Sequence, residues 1–140
     1  MERVLGLDVG DKTIGVAVSD PLGITAQGLT TIQRVSNKKD YLAIEELINE
    51  FKTKTIVVGL PKNMNNTIGH QSEKVIKFAE KIKNKFTVEI IYIDERMTTI
   101  SAERILIEGN VRRENRKKYI DKVAATYILQ TYLDSRRREN

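Results

Sequence analysis

The chain has no cysteine, no tryptophan, one histidine and two prolines in 140 residues. Without cysteine there are no disulfides and no thiolate metal sites, and a reducing compartment fits best. A single histidine makes a zinc site a poor fit as well. No apolar run approaches the roughly 20 residues that a membrane helix needs. The opening Met1-Glu2-Arg3-Val4 runs straight into an apolar stretch, which leaves no room for a secretory signal. The expectation is a cytoplasmic protein with no membrane contact. Glycine and proline are too few for a disordered chain, and residues 1–140 are expected to form one domain with a sizeable core.

What the chain does have is positive charge, a net +5, and its distribution is uneven. Residues 112–118, Arg-Arg-Glu-Asn-Arg-Lys-Lys, hold five cations against one carboxylate, and Arg136-Arg137-Arg138 follow near the end. Such clusters suit phosphate backbones, although a basic run is also what a solvated surface looks like.

The stretch from Val4 to Asp20 reads as two short apolar strands joined by the turn chemistry of Gly10-Asp11-Lys12. Asp8 sits within the first of them, and a carboxylate there needs a cation or hydrogen bonds. Ala26–Arg34 is a plausible third strand. Residues 37–51 follow helical spacing through Leu42, Ile44, Leu47, Ile48 and Phe51. Thr55–Gly59 has the fully apolar character of a central strand. A polar loop (60–69) leads to a helix over 71–85, with Val75, Ile76, Phe78, Ala79 and Ile82 inward. A strand over 88–93 ends at Asp94-Glu95-Arg96. Residues 99–108 predict a third helix, stopped by Gly109-Asn110. The last helix, about 117–135, shows Ile120, Val123, Ala124, Tyr127, Ile128 and Thr131 at helical spacing, widened by Leu129, Tyr132 and Leu133.

Three strands followed by alternating helices and strands predict an α/β fold. Its mixed five-stranded sheet would have the first three strands antiparallel and helices on both faces. Strand 1 would lie beside strand 4, so that the strand ends carrying Gly59 and Asp94 open beside Asp8.

That topology gathers acidic residues from different elements: Asp8, Asp94 or Glu95, and Asp121 at the start of the last helix. Each has an ordinary alternative, since Asp121 suits a helix start and Asp94-Glu95 could simply close a strand. Together they form an all-oxygen cluster of the kind that hard cations such as Mg²⁺ or Mn²⁺ accept. Two such metals about 4 Å apart can activate a water and stabilise the leaving oxygen of a phosphodiester. Nearby donors are Lys12 in the turn, Lys62 and Asn63 in the loop, and Arg96, which could meet a phosphate or pair with Asp94. His70 reads as a surface residue, and Thr98 and Thr99 as caps.

Four segments in order carry a resemblance: Gly6-Leu7-Asp8-Val9-Gly10 with Ile14-Gly15-Val16-Ala17-Val18-Ser19-Asp20; Val58 through Asn65; Asp94-Glu95-Arg96 with Thr99 and Ala102; and Asp121 with Ala124-Ala125. Over nearly the whole chain this resembles the YqgF/RuvX family, whose members are described as Holliday junction resolvases or as nucleases processing the 5′ end of pre-16S ribosomal RNA. The resemblance implies a ribonuclease H-like fold and a metal-dependent endonuclease. Asp8, Glu95 and Asp121 would be its catalytic, Mg²⁺- or Mn²⁺-binding carboxylates, with Lys12, Lys62, Asn63 and Arg96 as substrate contacts. Arg112, Arg113, Arg116 and Lys117 would hold the nucleic-acid backbone without reading sequence. Two positions depart from the family pattern: Thr13 where arginine is frequent, and Asn66 where glycine is frequent.

The expected substrate is structured RNA, foremost pre-16S rRNA, with branched DNA as the alternative. A monomer suffices for trimming RNA, whereas symmetric junction cleavage needs a homodimer. Two other readings are an RNA-binding assembly factor that does not cut and an ATP-binding, actin-like module. The second lacks the length and the repeated Asp-x-Gly hairpin of that group.

Overall fold

Alternation decides how the central strand is used. In Val4–Val9 (β1) the side chains of Leu5, Leu7 and Val9 point to one face of the sheet, and Val4, Gly6 and Asp8 face the other. The computed structural model describes residues 2–61, 69–98 and 116–139, with side chains of the last helix described over 122–137. β1 pairs antiparallel with Thr13–Ser19 (β2), in the register Leu5↔Val18 to Val9↔Ile14. β2 pairs antiparallel with Ala26–Gln33 (β3), with a bulge between Val16 and Ala17. On its other side β1 runs parallel to Thr55–Leu60 (β4), which runs parallel to Glu89–Asp94 (β5). The strand order is β3-β2-β1-β4-β5, the mixed sheet expected from the sequence.

Helices α1 (Asn37–Phe51) and α2 (His70–Phe86) cover the face of Leu5, Leu7 and Val9. Ser36 caps α1 by accepting the Lys39 N–H, and both helices end on a residue in the left-handed region, Lys52 and Thr87. The inward residues of α1 are Tyr41, Ile44 and Ile48, with Phe51 at the edge. Leu42, expected in that stripe, is instead 52% exposed. It lies a full 100° around the helix from Tyr41, whose ring stacks on Phe78 of α2 with centroids 4.9 Å apart and takes the inward place.

The opposite face is covered by α3 (Arg116–Glu139). Its buried side is Ala124, Ala125, Ile128, Leu129 and Leu133, while Val123 and Thr131 of the expected stripe lie at its margin. Fully burying side chains such as Ile128 and Leu129 contributes roughly 1.5–3 kcal/mol each. The helix can sit this close because glycine lies beneath it. A Cβ on Gly6 would stand 2.7 Å from the Leu129 Cβ, and one on Gly28 would stand 2.9 Å from the Lys122 Cγ. The direction of α3 follows from its contacts along β3. The Gln130 amide accepts from Ala26 N–H at 2.8 Å and donates to the Ile24 carbonyl at 2.9 Å, both at the start of β3. Lys122 and Thr126 lie further along β3, over Gly28. Since β1 and β3 point the same way, α3 runs antiparallel to β1, and its first turns lie toward the end of β1 where Asp8 stands.

The expected helix over 99–108 lies outside the described residues. Among the described residues, no helix is long and apolar enough to cross a membrane.

Candidate active site

Asp8 is half-buried at the carboxyl end of β1, on the face that α3 covers. Its register partner in β2 is Gly15. The ladder with β4 reaches Leu7↔Val58, so the next residue along β4 is Gly59, which faces the same way as Asp8. The carboxylate therefore has a glycine on either side, and no cross-strand side chain overlies it from those positions.

Glu95 reaches the same place from the neighbouring strand. It opens a 3₁₀ turn (Glu95–Met97) directly after β5, and its Oε1 lies 3.1 Å from the point where a Cβ on Gly59 would stand. The turn is fixed by Thr98, which donates to the Glu95 carbonyl from its amide at 3.1 Å and from its hydroxyl at 2.7 Å. Ile128 of α3 packs over the same glycine. Gly59 is thus the floor on which strand, turn and helix converge.

Strand alternation separates Asp94 from Glu95. Ile93 packs on the α3 face, so Asp94 points to the other side. Its carboxylate accepts the Arg96 amide at 2.9 Å and the guanidinium through Nε at 3.1 Å and Nη2 at 2.7 Å. That bond holds Arg96 more firmly in its charged form than usual. Arg96 is thus ion-paired with Asp94.

The backbone of Asp121 lies in α3, one turn before Ala124-Ala125 and on the stripe that continues into Ile128. Because α3 runs antiparallel to β1, this places the Asp121 position toward the end of the sheet that carries Asp8 and Glu95. Its side chain lies outside the described residues, as do those of Arg116 and Lys117. Lys62, Asn63, Arg112 and Arg113 also lie outside them, together with Thr99. Lys12 is exposed in the β1–β2 turn, Thr13 is buried at the start of β2, and His70 is exposed at the start of α2. The distal arginines are remote from the carboxylates: Arg137 pairs with Asp134, and Arg136 sits over the Tyr132 ring, near the other end of α3.

The donors suit a hard cation, since Asp8 and Glu95 offer only oxygen. Among the described residues no three acidic or histidine side chains are grouped for a metal. The two carboxylates stand there with the Asp121 backbone at the same end of the sheet.

One feature had no signal in the sequence. Arg34, just past β3, donates to the buried Asp40 at 3.0 Å, to the Gly10 carbonyl at 2.8 Å and to Asn37 at 3.1 Å, and its guanidinium lies over the Phe78 ring. Its own amide donates to the Lys12 carbonyl at 2.9 Å. Arg34 therefore fastens the turn that follows Asp8 to the start of α1. Charge spacing along the chain could not reveal a network closed between β1, β3, α1 and α2.

Comparison with known proteins finds a family and several relatives. A family described as RuvX, Holliday junction resolvase, matches residues 2–135. A protein of Thermoanaerobacter pseudethanolicus named "Putative pre-16S rRNA nuclease" is 56% identical over 138 residues, covering 98% of this chain and 99% of that protein. One of the same name from Clostridium tetani is 59% identical over 133 residues, covering 95% and 96%. In fold, the chain is similar to Thermus thermophilus RuvC in complex with a Holliday junction substrate, with a TM-score of 0.63 at 13% identity over 98% of this chain and 96% of that one. It is also similar to the Fowlpox virus resolvase in complex with Holliday junction DNA, with a TM-score of 0.55 at 13% identity over 95% and 97%.

Proposed function

The chain belongs to the RuvX family, and on that premise we propose that this nuclease is a single-domain, divalent-metal-dependent endonuclease that trims the 5′ end of pre-16S rRNA in the cytoplasm. The observation that carries the reading is the convergence of Asp8 and Glu95 beside Gly59, at the end of the sheet where α3 brings Asp121. The names of similar relatives support that substrate.

Asp8, Glu95 and Asp121 are the residues proposed to hold Mg²⁺ or Mn²⁺. Metal held there would supply a nucleophilic hydroxide at neutral pH and charge stabilisation for the departing 3′-oxygen. The chain's own part is positional. β1 and the 3₁₀ turn fix two carboxylates on a rigid sheet end, Thr98 holds the turn, and Ile128 and the core behind it exclude water from one side. Lys12, Lys62, Asn63, Arg112, Arg113, Arg116 and Lys117 are proposed to meet substrate phosphates. Arg96, paired with Asp94, is proposed as a further substrate contact.

The test is cleavage of 5′-extended 16S precursor and of a four-way DNA junction by the same preparation with Mg²⁺ or Mn²⁺. The precursor is expected to be cut at its 5′ side and the junction left intact. Cleavage of the junction alone would move the substrate to branched DNA. Tight, salt-sensitive RNA binding with no cleavage of either would make the protein an assembly factor.

A further inference from the structure

Helix α2 carries Lys74, Lys77, Lys81 and Lys85 at i, i+3, i+7 and i+11, so all four lie along one side of the helix, and all are exposed. Lys38 faces them from the first turn of α1. Between the helices lie two adjoining cavities that share Tyr41 and Lys81. One, of about 270 Å³, is lined by Gly10, Asp11, Lys74 and Lys77 among others. The other, of about 690 Å³, is lined by Lys38, Lys85 and the apolar Leu42 and Phe86. The acidic residues of this lining are Asp11, which pairs with Lys74 at 3.7 Å, and Glu45. Cations therefore dominate the groove along its length, about 16 Å of helix from Lys74 to Lys85 at 1.5 Å per residue.

We infer that this groove binds a single-stranded segment of the substrate nucleic acid, an inference that rests on the nuclease reading above. Two features select that occupant. First, the groove begins at Gly10-Asp11, the turn directly after Asp8, so a strand leaving the carboxylates over this turn enters it from the site end. Second, the lysines follow one line while Leu42, 52% exposed, and half-buried Phe86 form an apolar wall beside them. One phosphate backbone matches the line of lysines, and unpaired bases match the apolar wall. A duplex keeps its bases stacked inside and has no use for that wall.

The test is binding of a fluorescent single-stranded oligouridylate to the Asp8→Asn protein over residues 1–140 as salt is varied. Each phosphate of a single strand that a lysine no longer neutralises lowers the salt slope by about 0.7, so Lys77→Gln with Lys81→Gln should flatten it by about 1.4 and weaken binding about 25-fold at 0.1 M salt. Lys54→Gln with Lys83→Gln, exposed lysines outside the groove, should leave both quantities unchanged. Thermal unfolding checks that each variant is folded. An unchanged slope in the groove pair, or an equal change in the control pair, overturns the inference while leaving the nuclease reading intact. Equal competition by a blunt duplex overturns the single-strand assignment. Failure of the parent protein to bind either RNA or junction DNA overturns both readings together.

Discussion

Glu95 Oε1 and the Gly59 backbone stand so close that a methyl group on Gly59 would lie 3.1 Å from the carboxylate oxygen and 2.4 Å from the Ile128 Cδ1. Gly59→Ala must therefore move two neighbours with different duties. Overpacking against Ile128 should lower stability by about 1–3 kcal/mol. Displacing Glu95 by even a fraction of its length should reduce cleavage about 100-fold. Adding Ile128→Val removes the methyl at closest approach, so the double variant should recover its urea midpoint but not its cleavage rate. Recovery of both together would show that Glu95 is not held by this contact.

A second prediction concerns the Arg34–Asp40 pair, whose side chains are 18% and 3% exposed. Asp40 also accepts the Val35 amide at 3.2 Å. Asp40→Ala leaves a largely buried guanidinium without its counter-charge, and such breaks cost about 3–5 kcal/mol. The urea midpoint should fall with an unchanged m-value. The loosened Gly10 turn should also lower the cleavage rate under conditions where the variant is still folded.

Asp20 provides a prediction about pH. Its Oδ1 accepts the amides of Thr25 at 3.0 Å and Ile24 at 2.7 Å, and the bond from Thr25 leads in holding its carboxyl below the ordinary value of 3.8. The folded protein therefore prefers the ionised form more than the unfolded chain does, and the resulting stability is present above pH 3.8 and lost as pH falls through the lower folded value. The melting temperature of Asp20→Asn should lie below that of the wild type at neutral pH, and the two should converge as the solution is made more acidic than pH 3.8. A gap that stays constant down to the most acidic point would mean that these hydrogen bonds do not depend on the charge.

The sequence made some of this legible and not the rest, for reasons that differ by residue. The apolar runs of Val4–Val9 and Thr55–Gly59 are legible as strands because burial in a sheet leaves that imprint directly. Asp8 stands out because a carboxylate among apolar residues needs a reason. The choice between Asp94 and Glu95 is not visible in composition, since it depends on which face Ile93 takes once β5 is paired. The glycines under α3 look like turn or strand-weakening residues until the helix that needs them is in place. Leu42 and the lysines of α2 form a groove only because α1 and α2 lie side by side, which neither helix encodes alone.

The central claim is that Asp8 and Glu95, with Asp121, carry the reaction. Its most direct measurement is the rate of cleavage of 5′-extended 16S precursor and of a four-way junction by wild type and Asp8→Asn with Mg²⁺ or Mn²⁺, with binding measured in parallel. The expected result is cleavage by the wild type that chelation abolishes, no product above background from Asp8→Asn, and substrate affinity retained in the variant. Cleavage of both substrates by Asp8→Asn at the wild-type rate would contradict the account.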